Sequence, residues 1–234
     1  EQASAVSLQP IARYGFDAAI IFSDILMIPW VMNRNVRFKT GVGPLLDAME
    51  KPDDIDVSCL DGLSQKLAPI GQALTLTRAA LPTETTLIGF AGAPWTLITY
   101  MAEGGTSRDF SKARQWAWQN RQALDGLLDI LIDATISFLS LQAQSGAQTL
   151  MLFDSWASAV PAAQRDWLVT KPARAIVEGV RKNGHNQPII GFPKGIGEGL
   201  IRYAAESGVD AVGLDHGVDP VWAGQNLPAK MPVQ

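Results

Sequence analysis

Three aspartates end short apolar runs in the same manner. "RYGFDAAIIFSD" closes on Asp24, "QSGAQTLMLFDSW" passes through Asp154, and "ESGVDAVGLDHG" passes through Asp215. Asp24 poses the sharpest question, because apolar residues continue past it as "ILMIPW". A carboxylate withdrawn from water costs several kcal/mol unless something compensates it. Such a group either sits at an element end near solvent or is held in a pocket for a purpose. Spacing alone leaves both readings open.

The surrounding pattern says what must position these acids. In each segment a glycine able to end a helix in the left-handed conformation precedes the apolar run: Gly15, Gly146 and Gly208. Apolar runs of this length read as buried parallel strands. "TTLIGFAGAPW" and "PIIGFPKG" add two strands without the aspartate, and "MPVQ" reads as the start of a sixth. Helical periodicity predicts helices over 61–81, 107–122, 123–145, 162–183 and 197–207. The second has a capping-box-like start from Thr106 to Asp109, and the fourth is interrupted near Pro172. Asp125, Asp129 and Asp133 recur at four-residue spacing and read as a solvated stripe. Residues 31–56 are loop-like with room for a short hairpin, and a loop this long is usually functional.

Alternating strands and helices demand a parallel sheet covered by helices. No G-x-G-x-x-G follows the first strand and no Walker A lysine motif is present. The predicted fold is therefore α/β, a (β/α)8 TIM barrel. It is incomplete, with about six of the eight strands, in a single domain over 1–234 that looks truncated at both ends. Catalytic groups of such barrels sit at the C-terminal ends of the strands, where Asp24, Gly92, Asp154 and Asp215 fall.

Composition bounds the partners. With 47% hydrophobic and 18% charged residues and a net charge of −4, nothing suggests a nucleic-acid or membrane surface. An anionic substrate would need a local basic pocket; Arg34, Arg37, Arg108 and Lys194 are candidates, with surface charge as the plainer reading of each. The one cysteine, Cys59, allows no internal disulfide and suits a cytoplasmic protein. It lies in a polar stretch without a partner, which argues against a nucleophile. One cysteine with two distant histidines, His185 and His216, does not make a metal cluster, so no metal site is expected. His185 is expected to be exposed, and Trp95 and Trp156 to be core or pocket wall.

The strings "DAAIIFSDIL", "IGFAGAPWTLITYMAEGG", "LFDSWA", "GFPKG" and "GVDAVGLD" together resemble the uroporphyrinogen decarboxylase family over nearly the whole sequence. That resemblance implies a (β/α)8 barrel, a homodimer and a cofactor-free enzyme of tetrapyrrole biosynthesis. The reaction would remove carboxyl groups from the four acetate side chains of uroporphyrinogen III to give coproporphyrinogen III. By motif position the central aspartate is Asp24, catalytic and substrate-binding. Gly92, Tyr100 and Ser155 are the further substrate-binding positions. The sequence departs from the family in lacking its arginine-rich N-terminal motif and its late histidine segment, and "GLDHG" places His216 where Trp or Thr is expected.

Each of these residues also has a plain structural reading. Asp24 could cap a helix, Tyr100 could be a core tyrosine with a satisfied hydroxyl, Ser155 could be an N-cap, and Gly92 could serve a tight turn. Two other functions compete: a related barrel methyltransferase of the cobalamin or methionine-synthase type, which needs the absent Cys/His cluster, and an inactive scaffold.

Overall fold

A computed structural model describes residues 1–234. The chain opens with α1 (Gln2–Tyr14), stopped by Gly15 in the left-handed conformation, and enters β1 (Ala18–Ile20). Next come α2 (Met27–Val31) and the antiparallel hairpin β2 (Arg37–Lys39) and β3 (Gly43–Leu45). α3 (Leu63–Lys66) and α4 (Ala68–Ala80) lead to β4 (Thr86–Gly92). α5 (Pro94–Glu103), α6 (Ser111–Gln119) and α7 (Arg121–Gln144) follow, and then β5 (Thr149–Asp154). The chain finishes with α8 (Lys171–Lys182), β6 (Ile189–Pro193), α9 (Gly199–Glu206), β7 (Ala211–Val212) and α10 (Pro220–Asn226).

The main sheet has the order β1-β4-β5-β6-β7, all parallel. Val233 adds an isolated parallel bridge to Val212. The five runs expected to be strands are strands, and "MPVQ" supplies that sixth contact. The sheet does not close on itself within 1–234, so its concave face remains open along β1.

Strand alternation sorts the side chains into two layers. Ile20, Ile88, Met151, Phe153 and Phe192 share one cavity on the concave face. There Phe90, Phe153 and Phe192 pack edge-on, with ring centroids 5.6 and 5.9 Å apart, the arrangement that aromatic quadrupoles favour. Gly89 and Gly191 face the helices instead. A Cβ on Gly89 would lie 2.8 Å from Gln142 Oε1 of α7, and one on Gly191 would overlap Tyr203 of α9. These two glycines let α7 and α9 lie close to the sheet.

Several helix boundaries differ from the sequence reading. The helix expected over 61–81 is two pieces that meet at Leu67, just before Pro69, and it stops ahead of Pro82 as expected. No capping box starts the helix expected at 107. It begins at Ser111, after Phe110 takes a left-handed φ of 51°; Ser107 Oγ accepts the Phe110 N–H, and Glu103 Oε1 accepts those of Lys112 and Ala113. The span 162–183 is a 3-10 turn, a π-helical turn over Asp166–Thr170 and then α8, with Pro172 in its first turn. A proline there needs no N–H partner. Asp129 and Asp133 face solvent, but Asp125 is half-buried and accepts the Trp167 indole N–H. The sequence reading has no counterpart of α2 and α10, and of α1 only the end at Gly15.

Candidate active site

Asp24 sits in the turn between β1 and α2. Its Oδ1 accepts the Leu26 N–H at 2.7 Å, which answers the question of why an acid interrupts this run. The neighbouring Leu26 and Ile28 are buried, and the carboxylate holds the turn that leads into α2. Oδ2 has no hydrogen bond within the protein. Burial pushes the Asp24 carboxyl above its usual range, and the Leu26 N–H opposes that rise. One oxygen of the carboxylate thus holds the turn and the other is a free acceptor.

The other two strand-end acids are occupied. Asp215 receives the Gly195 N–H at 2.8 Å and the Gly217 N–H at 2.9 Å, tying the turn after β6 to the turn after β7. Those bonds, with the charges of His216 and Lys194, hold its carboxyl below the usual range. Asp154 turns away from the concave face and is buried behind β5. It accepts the Thr96 hydroxyl at 2.6 Å, and burial pushes its carboxyl up to about 7. Tyr203 is buried nearby, its phenol pushed up by burial with the Asp154 charge adding.

Tyr100 is buried on α5, and no hydrogen bond joins it to Asp24. The two are coupled through space: burial raises the phenol first, the Trp156 indole N–H opposes, and the Asp24 charge adds to the rise. Trp156 packs against both Tyr100 and Phe110, with centroids 6.3 and 4.7 Å away. Its backbone is held on both sides, its N–H by Thr96 Oγ1 at 3.2 Å and its C=O by the Trp95 indole at 3.1 Å.

An apolar cavity of about 550 Å³ opens between α1, the β1 edge and the concave face. Ser155 lines it, as do Phe90, Phe153, Ser23 and Ile25. Asp24 stands at its rim between those last two. Gly92 lies underneath: a Cβ there would come within 3.0 Å of the Ile25 carbonyl and 2.9 Å of Leu97. The glycine therefore lets the Asp24 turn lie across the end of β4.

The structure brings Asp24, Tyr100 and Ser155 to one end of the sheet with Gly92 beneath them, and separates the remaining candidates from this group. Arg34 donates to the Asp54 carbonyl and Arg37 pairs with Asp47 at 3.1 Å, both in the hairpin region. Lys194 and His216 are exposed. His185 is partly rather than fully exposed and contacts Gln144. Cys59 lies beside Asn33 and Asp56. No three His, Cys, Asp or Glu side chains converge in the manner of a metal site. Sequence reasoning missed Ser23, whose buried hydroxyl has no partner and faces the cavity, and underrated Trp156. The signal for Ser23 was its place beside Asp24 at the strand end.

A family model described as uroporphyrinogen decarboxylase (URO-D) matches residues 1–234. The chain belongs to the uroporphyrinogen decarboxylase family. It is 48% identical over 232 residues to the uroporphyrinogen decarboxylase of Maricaulis maris, covering 99% of this chain and 67% of that protein. It is 45% identical over 238 residues to that of Granulibacter bethesdensis, covering 100% and 69%. The chain thus spans about two thirds of the length of these decarboxylases. A methyltransferase from Methanosarcina mazei shares the fold with a TM-score of 0.83 at 14% identity, covering 99% of this chain and 67% of that one. At that identity the likeness speaks of architecture alone, so the methyltransferase alternative gains nothing from it. The fold is the α/β, TIM-barrel type expected from the strand pattern.

Proposed function

We propose that Asp24 carries the central charge of a porphyrinogen decarboxylase. Membership of the uroporphyrinogen decarboxylase family makes the reaction decarboxylation in tetrapyrrole biosynthesis. The reading continues from there to the four acetates of uroporphyrinogen III, taken to methyl groups to give coproporphyrinogen III.

A pyrrole acetate loses CO2 only when something accepts the electron pair left behind. Protonation of a pyrrole carbon creates a cation that can accept it. The bond to the carboxylate breaks, its electrons neutralise the ring, and CO2 departs. A proton delivered to the resulting methylene gives the methyl group, and loss of the proton first added to the ring carbon restores the pyrrole. A fixed carboxylate beside the ring stabilises the cation, and in surroundings poor in water it does so more strongly than in bulk solvent. The observation that carries the proposal is the unpaired Asp24 Oδ2 at the rim of an apolar cavity. That oxygen can also accept pyrrole N–H bonds. Tyr100 and Ser155 orient substrate through their hydroxyls, and Gly92 sets the Asp24 turn in place. The chemistry asks for no metal or organic cofactor.

We also read the protein as a cytoplasmic homodimer. No helix is long and apolar enough to cross a membrane, and the dimer is what the resemblance to the family implies. The deciding experiment is turnover of uroporphyrinogen by the Asp24→Asn protein, in which loss of kcat with an intact fold supports the assignment.

A further inference from the structure

The cavities on the concave face hold no lysine or arginine. They suit an apolar ring. Guanidinium groups gather instead in a separate cavity. A cavity of about 570 Å³ is lined by Arg108, Arg114 and Arg165 together with Asp109, Phe110 and Trp156. Three guanidinium groups therefore face one carboxylate in a chain whose net charge is −4.

None of the three arginines is in an ion pair, whereas Arg37, Arg174, Arg181 and Arg202 all are. Arg165 is half-buried and fixed by donation from Nη1 to the Ile196 carbonyl at 3.0 Å. One donor among the groove's lining residues, Arg165 Nε, is buried without an acceptor. Buried donors are normally satisfied, and each one left open costs free energy that an incoming acceptor restores. Trp156 links the groove to the site described above, because the same ring packs against Tyr100, whose phenol senses Asp24.

We propose that Arg108, Arg114 and Arg165 form an oxyanion-binding groove that holds peripheral carboxylates of the tetrapyrrole while its ring occupies the apolar cavity. The proposal rests on the decarboxylase reading of the Asp24 site. Guanidinium groups pair with carboxylates through two parallel N–H bonds. The shared chemistry is that of an oxyanion, so a free inorganic anion is the competing occupant.

The test is equilibrium binding of uroporphyrin, the stable oxidised octacarboxylate, read by fluorescence quenching at low and high salt. Arg108 and Arg114 are exposed, so the Arg108→Gln/Arg114→Gln double variant keeps the fold. It should weaken uroporphyrin binding at least about fivefold and flatten the salt dependence. Arg165→Gln should weaken binding as well, and Arg37→Gln, in a charge paired elsewhere, should not. The groove is read from affinity and the Asp24 assignment from kcat, so failure of one is distinguishable from failure of the other. Wild-type affinity for uroporphyrin in both the double variant and Arg165→Gln would overturn the proposal. So would inorganic phosphate displacing uroporphyrin at equal concentration, which would make the groove a site for small anions.

Discussion

The side-chain amide of Gln142 takes the place of a missing strand beside Phe90. Its Oε1 accepts the Phe90 N–H at 2.8 Å and its Nε2 donates to the Phe90 carbonyl at 2.7 Å. These backbone groups point towards β1, whose last ladder bond runs from the Ile21 N–H to the Ile88 carbonyl. Beyond Ile21 the chain leaves the sheet to form the Asp24 turn. Gln142 thus satisfies what that departure exposes, and it reaches in over Gly89, which has no side chain to block it.

Gln142→Leu should therefore destabilise the fold by about 2–4 kcal/mol, because it strands a buried N–H and a buried C=O. Urea unfolding measures this. A loss below about 1 kcal/mol would mean that the two groups find other partners.

Asp154 sets a pH dependence of stability. Its carboxyl is pushed up from 3.8 to about 7 in the folded chain. Between those values the native state holds a proton that the unfolded state has released, so stability falls as pH rises through the window. Asp154→Asn removes the ionisation while keeping an acceptor for Thr96. The stability difference, variant minus wild type, should grow in the variant's favour by roughly 4 kcal/mol between pH 4 and pH 8. Denaturant titrations at the two pH values check this, and an unchanged difference would contradict it.

Tyr100 and Ser155 should separate kinetically. Tyr100→Phe loses a hydroxyl beside the reacting ring and should lower kcat by about 3- to 10-fold, the worth of one hydrogen bond. Ser155→Ala loses a contact in the cavity wall and should mainly raise KM by a similar factor. A Ser155→Ala enzyme altered in kcat alone would assign that hydroxyl a different part.

Chelation should leave turnover unchanged. Incubation with excess EDTA followed by gel filtration, then assay with and without added divalent ions, tests it. Activity lost on chelation and restored by one ion would contradict the account.

Much of this was legible in the sequence because the barrel's signals are local. The left-handed glycines Gly15, Gly146 and Gly208 mark helix ends by backbone geometry alone. The short apolar runs after them can be little else than buried strands. Asp24, Tyr100 and Ser155 were found through strand-end position and motif. What was not legible depends on side-chain direction. Spacing treats Asp24, Asp154 and Asp215 as equivalents, yet one faces the cavity rim, one is buried among helices, and one ties two turns together. The arginine groove escaped notice because Arg108, Arg114 and Arg165 converge only when the turn after β5 folds against the start of α6. The helix expected at 107 starts four residues later because Phe110 turns left-handed to reach Trp156, a tertiary contact that no local pattern announces.

The most direct test of the account is steady-state decarboxylation of uroporphyrinogen by Asp24→Asn. Asparagine keeps the Oδ1 acceptor for the Leu26 N–H, so α2 and the turn survive and only the charge is lost. The account predicts a fall in kcat of roughly 10²–10³ with an unfolding midpoint no lower than that of the wild type. In the wild type it also predicts an acid limb of kcat with an apparent pKa above the ordinary carboxylate range, because burial raises the Asp24 carboxyl and the ionised form is the active one. A folded Asp24→Asn enzyme with near-wild-type kcat would contradict the assignment of the central charge to Asp24.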